Sequence, residues 1–163
     1  MEWREVVEHP SLQDLPFKIE TNEWGEIVMT PATGTHSIYQ SLINEWFARL
    51  EEKGGRSIVE CPVQTSAGTK VADVAWGSAA FFTKHGVRVT SFPQSPEIVV
   101  EVKSPSNSLK RMEGKKQLYF EAGASEVWFC DEEGLMHFFN RDGKLKRSEL
   151  FEKFPERIDI DLM

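Results

Sequence analysis

The stretch Pro96-Glu97-Ile98-Val99-Val100-Glu101-Val102-Lys103-Ser104-Pro105 decides the fold of this chain. Its β-branched run between two prolines is typical of a strand that is buried on both faces of a sheet. Because side chains alternate along a strand, Ile98, Val100 and Val102 are expected on one face, with Glu101 and Lys103 on the other. An acid and an amine in such a strand cost several kcal/mol to desolvate unless they are paired or bound to a metal. The sequence therefore predicts a compensating partner beside Glu101 and Lys103.

A second apolar stretch, Val71-Ala72-Asp73-Val74-Ala75-Trp76, also carries one embedded acid. If the two strands are neighbours, Asp73 and Glu101 converge, and two close carboxylates repel unless one is protonated or a cation joins them. Hard oxygen ligands with open positions suit Mg²⁺ or Mn²⁺. A neighbouring lysine then orients the attacking water or stabilises charge on a phosphate. This arrangement predicts metal-assisted hydrolysis of phosphodiester bonds.

The remaining elements follow from periodicity, turn residues and helix caps. They are a hairpin over residues 17–30 closed at Gly25, a helix from Thr35 or Ser37 to Lys53, strands over 57–65 and 71–76, a basic helix over 109–122, a strand over 126–130, a meander over 135–150 and, over 159–162, either a terminal strand or a docking segment. The order predicts an α/β (α+β mixed) fold, with a mixed central sheet between helices, an N-terminal hairpin and a C-terminal antiparallel meander. We expect one domain over residues 1–163.

Bulk composition limits the classes of function. The net charge of −7 argues against a broad phosphate-binding surface, so contact with nucleic acid must depend on a local patch or on a metal ion. Cys61 and Cys130 lie in predicted strands without CxxC spacing, and we expect reduced core thiols rather than a zinc site. No apolar run reaches the ~20 residues of a membrane span, and the first residues lack the pattern of a signal peptide. A cytoplasmic protein without a membrane partner is expected.

The spacing Asp73…Glu101-x-Lys103 resembles the PD-(D/E)xK nuclease superfamily. From about residue 18 to the C-terminus, the chain more closely resembles the Uma2 family of restriction endonucleases. The matching segments are Glu26–Pro31, His36, Ala72–Trp76, Glu97–Pro105, Lys116, Tyr119, Gly123–Trp128 and Asp131. Ala72 stands where the superfamily has proline, which affects backbone shape more than chemistry.

The resemblance implies a restriction-endonuclease-like fold and a DNA endonuclease that depends on Mg²⁺ or Mn²⁺. Asp73 and Glu101 would be metal ligands, together with the carbonyl oxygen of Val102. The catalytic lysine stays open between two residues. Lys103 follows the superfamily, whereas many Uma2 members carry an apolar residue there and use a lysine of the later helix, here Lys116.

Other implied features have ordinary alternatives. Glu45, on the first long helix, is either a further carboxylate of the site or a solvated helix residue, and His36 is expected to make a local hydrogen bond. A homodimer is expected for an enzyme that cuts both strands of a duplex. The alternative function is a catalytically inactive module on the same fold. It would bind nucleic acid, or it would oligomerise through the apolar run Met136–Phe139.

Overall fold

A six-stranded mixed sheet forms the centre of the fold, and a separate two-stranded hairpin packs against one of its strands. The computed structural model describes residues 1–161 of the chain. The elements are α1 (Trp3–Glu8), a 3₁₀ turn (Pro10–Leu12), β1 (Phe17–Thr21), β2 (Ile27–Pro31), α2 (Gly34–Leu50), β3 (Arg56–Thr65), β4 (Gly68–Gly77), α3 (Ala79–His85), β5 (Ile98–Val102), α4 (Leu109–Glu121), β6 (Glu126–Cys130), β7 (Met136–Asn140) and β8 (Gly143–Leu145).

Strand order in the large sheet is β3-β4-β5-β6-β7-β8. Among these six strands, β5 and β6 are the pair that runs in parallel, and the crossover that a parallel pair needs contains α4. The predicted mixed fold, with its hairpin and meander, is confirmed. The predicted terminal strand is not formed by residues 159–161, and its last residue, Leu162, lies outside the described residues. Within residues 1–161, no helix is long and apolar enough to cross a membrane.

The central strand β5 has the predicted alternation. All five of its residues are buried. Ile98, Val100 and Val102 belong to the core cluster that packs against α2, whereas Val99 belongs to the cluster on the α4 face. The strand ends at Val102, so the alternation rule no longer applies to Lys103.

Helix α2 covers one face of the sheet. It begins where the Thr33 hydroxyl accepts a hydrogen bond from the His36 N–H, 3.1 Å away. Residues at i, i+4 and i+8 are buried (Tyr39, Ile43 and Phe47), and the Phe47 ring stacks on Trp128 with 5.2 Å between the ring centroids. Two residues of β7, Met136 and Phe138, are buried in the same core. The apolar run expected to mediate oligomerisation is therefore largely part of the monomer core.

Helix α4 covers the other face. The Ser108 hydroxyl accepts a hydrogen bond from the Arg111 N–H at the start of the helix. Met112 and Tyr119 are both buried, seven residues apart on one side of α4. At 3.6 residues per turn, this side also includes Lys115.

The β1–β2 hairpin docks on β4 through close backbone contacts. The Thr69 N–H donates to the Thr21 hydroxyl over 2.8 Å. Gly68 has φ +89°, and a Cβ at this position would meet the Thr21 carbonyl oxygen at 2.5 Å. Only glycine tolerates both the backbone conformation and the approach. The docked hairpin places Lys18 and Glu20 beside Asp73.

Candidate active site

A pocket of about 90 Å³ opens between the hairpin, the start of α2 and α4, with Asp73 and Glu101 among its lining residues. Strands β4 and β5 pair in antiparallel fashion, with Val74 opposite Val100, which places Asp73 beside Glu101. Their side chains are only 1% and 2% exposed. The structure thus brings together the two acids that the sequence singles out.

Three groups hold the Asp73 carboxylate. Its Oδ2 accepts a hydrogen bond from the Val102 N–H at 2.7 Å and lies 3.2 Å from His36 Nε2. Its Oδ1 accepts from Lys18 Nζ at 2.9 Å. Burial alone would raise the pKa of Asp73, but the Lys18 ammonium, His36 and the Val102 N–H hold this pKa well below its ordinary value. Asp73 is therefore an anion at neutral pH.

The Glu101 carboxylate is held differently. The Tyr119 hydroxyl donates to Oε1 over 2.7 Å, whereas the two ammonium groups are farther away, Lys115 Nζ at 3.5 Å from Oε1 and Lys18 Nζ at 3.4 Å from Oε2. Burial raises the pKa of Glu101 to about 7, against the attraction of both lysines and with the help of the Asp73 charge. The two acids thus differ in how readily they take up a proton.

A third buried carboxylate, Glu20, completes the cluster. Its Oε2 accepts hydrogen bonds from Lys115 Nζ and from the Val71 N–H, both at 2.7 Å. Burial acts to raise the pKa of Glu20, but the charges of Lys115 and Lys18 outweigh it and lower this pKa. Lys18 and Glu20 are two residues apart in β1 and point to the same side, and this spacing was the signal in the sequence that could have found them.

Lys18 joins the two acids of the sheet. Its single ammonium group contacts both Asp73 and Glu101. Burial acts to lower the pKa of Lys18, but the charges of Asp73, Glu101 and Glu20 raise this pKa well above its ordinary value. The buried cluster in the pocket therefore combines the carboxylates of Glu20, Asp73 and Glu101 with the ammonium groups of Lys18 and Lys115.

The structure does not bring either predicted lysine into the pocket. The backbone leaves β5 after Val102, and Lys103 Nζ reaches Glu132 at 2.8 Å and the Asn107 carbonyl oxygen at 3.3 Å. Lys116 is one residue from Lys115, which rotates it by about 100° around the helix. Its Nζ bonds to Glu113 at 2.7 Å and lies 4.1 Å from the centroid of the Phe139 ring.

The other predicted residues are placed as follows. Glu45 is half exposed on α2 and pairs with Arg49 one helical turn away, outside the pocket. The Val102 N–H donates to Asp73, and the carbonyl oxygen of Val102 stays a predicted metal ligand. His36 makes the expected local hydrogen bond through its N–H, to the Thr33 hydroxyl, and its ring also reaches Asp73 on β4.

The residues present fit a hard divalent cation. Mg²⁺ is usually bound through one or two carboxylates, with water and substrate phosphates as the other ligands. Because one ammonium group contacts both Asp73 and Glu101, their oxygens already converge on a single cationic position. In the part of the chain that the structure describes, no three histidine, cysteine or acidic side chains form a ready-made metal cage. The fit thus depends on Asp73 and Glu101.

Comparison with known proteins places this chain in a family. The Uma2 family model, described as "Putative restriction endonuclease", matches residues 10–162. A crystal structure from Anabaena variabilis, described as a "putative nuclease belonging to DUF820", superposes with a TM-score of 0.65 and 19% identity over 86% of this chain and 79% of that chain, which shows a shared fold. The cryo-EM structure of a DrdV–DNA complex gives a TM-score of 0.44 at 15% identity, over 73% of this chain and 11% of that chain, and this likeness is too weak to carry an argument. No curated protein matches the chain. The family match covers nearly the whole sequence, and the chain belongs to the Uma2 family.

Proposed function

We propose that this protein is an endonuclease that hydrolyses phosphodiester bonds in DNA with the help of Mg²⁺ or Mn²⁺ held by Asp73 and Glu101. One observation carries the proposal: two buried carboxylates from adjacent strands converge in a pocket that also contains the Lys115 ammonium. Membership of a family described as restriction endonucleases supports the same reaction.

A divalent cation held by Asp73 and Glu101 would supply Lewis acidity to the scissile phosphate and to the attacking water. The protein fixes the oxygens that would bind it. Tyr119 donates a hydrogen bond to Glu101, and the Val102 N–H donates one to Asp73. Such supporting contacts set the orientation of ligand carboxylates, and losing one typically lowers activity by about 10- to 100-fold.

Lys115 is the lysine that we assign to the reaction. Glu20 holds its ammonium at 2.7 Å, and the side chain remains 19% exposed toward the pocket. An ammonium fixed in this way would donate hydrogen bonds to a phosphate oxygen and stabilise the negative charge that develops during cleavage. Arg111, one helical turn earlier, also lines the pocket and would bind a neighbouring phosphate.

Three lysine variants test this assignment on a supercoiled plasmid with Mg²⁺ or Mn²⁺. Lys115→Met is expected to slow cleavage by about 100-fold or more, because the amine beside the carboxylates is lost. Lys116→Met and Lys103→Met serve as matched controls and are expected to stay within about threefold of the unmodified protein. A greater loss in either control than in Lys115→Met would contradict the assignment.

We further propose that the enzyme acts on DNA in the cytoplasm as a homodimer. Each pocket would cut one strand, and a two-fold axis would supply the second cut. Sedimentation would test the dimer, which is expected at twice the 18.6 kDa of one chain. A monomer at cleavage-competent concentrations would contradict it.

A second candidate is a nucleic-acid-binding module without catalysis on the same fold. It is favoured by the Lys18 ammonium, which already pairs with both carboxylates. DNA binding in a gel-shift assay, combined with no cleavage in either metal, would support the module over the enzyme.

A further inference from the structure

We infer that Lys18 is an internal cation which occupies the position of the divalent metal, so that the metal binds only when the Lys18 ammonium moves away. This inference rests on the proposed function, because it concerns the metal held by Asp73 and Glu101. It adds a competitor for that metal, built into the chain itself.

The Lys18 ammonium and the proposed divalent metal would bind to the same carboxylate oxygens. Lys18 Nζ lies 2.9 Å from Asp73 Oδ1 and 3.4 Å from Glu101 Oε2, and it is the only amine that contacts both acids in the described part of the chain. A divalent ion on the same two oxygens would sit about 2.1 Å from each. The ion and the ammonium would then lie within a few ångströms of each other, where two positive charges repel strongly. They cannot share these oxygens.

Lys18 is able to leave, whereas the second lysine is not. The hydrogen bonds of the Lys18 ammonium all go to Asp73 and Glu101, and its side chain is 13% exposed beside the pocket. Its four-carbon stem is flexible, so the ammonium can swing into the open space. Lys115 has a shorter bond to Glu20, at 2.7 Å, than to Glu101, at 3.5 Å. Loss of the Glu101 contact therefore leaves Lys115 anchored.

The exchange also explains how the pocket stays folded without a metal. Two adjacent buried carboxylates without a cation would repel each other and destabilise the folded state. The Lys18 ammonium compensates their charge in the metal-free protein. Because the metal must displace this ammonium, Lys18 weakens metal binding.

The test measures binding of Mn²⁺ alone to the full chain by the loss of the free-ion signal in electron paramagnetic resonance. Lys18→Met is expected to bind Mn²⁺ at least tenfold more tightly than the unmodified protein. Lys70→Met is the matched control, because the Lys70 ammonium also joins β4 to the hairpin, through the Thr21 carbonyl oxygen at 2.7 Å. The Lys70 ammonium does not contact Asp73 or Glu101. The affinity of Lys70→Met for Mn²⁺ should therefore equal that of the unmodified protein. Lys18→Arg keeps the positive charge and should keep the weaker binding.

The possible outcomes separate this inference from the proposed function. Equal or weaker Mn²⁺ binding by Lys18→Met would overturn the role of Lys18 and leave the metal site standing. Absence of binding in every variant would overturn both. Binding by Lys18→Met but not by the unmodified protein would support the inference. If Lys18→Met fails to fold without metal, Lys18→Gln removes the charge while keeping a hydrogen-bond donor, and the same comparison applies.

Discussion

Two buried glutamates lie at opposite ends of the parallel strands β5 and β6, and they are satisfied in different ways. Glu101 and Glu126 are each 2% exposed. Glu101 contacts the ammonium groups of two lysines and one hydroxyl. Within residues 1–161, the partners of Glu126 are all neutral: the Trp128 indole, the Ser148 hydroxyl and the backbone N–H groups of Glu149 and Leu150.

The difference separates a structural carboxylate, Glu126, from the carboxylate that we propose as a metal ligand, Glu101. Backbone and indole donors are fixed by the fold, so Glu126 joins the segment that follows β8 permanently to the sheet. By contrast, the Lys18 ammonium contacts Glu101 from a flexible stem, and it is the partner that we infer a metal ion can replace. Local sequence does not make this distinction, since both residues are glutamates followed by valine in a buried strand. The hydrogen-bond partners of the two carboxylates, which only the structure shows, make the distinction.

The largest expected effect is on DNA cleavage. Glu101→Gln removes a proposed metal ligand and is expected to slow Mg²⁺-dependent cleavage by more than about 100-fold, beyond what loss of a supporting contact gives. Glu126→Gln, the matched change at the other glutamate, is expected to stay within about threefold. Initial rates on a supercoiled plasmid measure both. Similar losses of cleavage in the two variants would contradict a specific role of Glu101 in the reaction.

The order should reverse for stability. Glu126→Ala removes the acceptor of four donors, of which only the Leu150 N–H also bonds to the Ser148 hydroxyl within residues 1–161, and is expected to lower the free energy of unfolding by about 2–4 kcal/mol. Glu101→Gln is expected to change it by less than about 1 kcal/mol at pH 6, because Lys18 and Lys115 keep Asp73 and Glu20 as partners. Urea unfolding followed by circular dichroism measures both values. A larger loss for Glu101→Gln would show that its partners are as structural as those of Glu126.

The pocket should also make stability depend on pH. Burial raises the pKa of Glu101 to about 7, whereas an unfolded glutamate has a pKa of about 4.3. Between these values the folded protein holds a proton that the unfolded chain releases, so the contribution of Glu101 to stability falls as pH rises. Glu101→Gln removes this dependence. Urea unfolding in EDTA should therefore show the variant gaining stability relative to the unmodified protein from pH 5 to pH 8, and a constant difference would contradict this.

The smallest effect is expected for a third acid, which lies on the surface. Glu45 pairs with Arg49 on an exposed face of α2, and exposed pairs of this kind contribute about 0.3–0.5 kcal/mol. Glu45→Gln should leave cleavage within about twofold and stability within about 0.5 kcal/mol of the unmodified protein. A large loss of cleavage would restore Glu45 to the site.

The sequence predicts the sheet better than it predicts the lysines. Alternation along β5 and the apolar stretch around Asp73 are local patterns that the sequence shows directly. Once the two strands are adjacent, as in the structure, Asp73 and Glu101 lie side by side. The position of Lys103 does not follow, because the strand ends one residue before it. Lys115 could have been preferred to Lys116 from the helical phase of Met112 and Tyr119, since both are apolar or aromatic and lie on its side of α4.

Lys18 and Glu20 were harder to find because their role depends on where the hairpin docks. That docking is a tertiary contact between residues about 50 positions apart, as for Glu20 and Val71. Within the hairpin, the two residues look like the exposed side of an ordinary amphipathic strand. Only the approach of β4 turns this side toward the pocket.

The docking of the hairpin depends on the absence of a side chain at Gly68. A methyl group at this position would collide with the Thr21 carbonyl oxygen and push the hairpin outward, taking an acid and an amine away together. The formal charge of the cluster would hardly change, because the two departing charges cancel. The pocket would instead lose the wall that the hairpin forms and would become more open to solvent. Gly68 does not line the pocket, and it sets the shape of the pocket through the position of the hairpin.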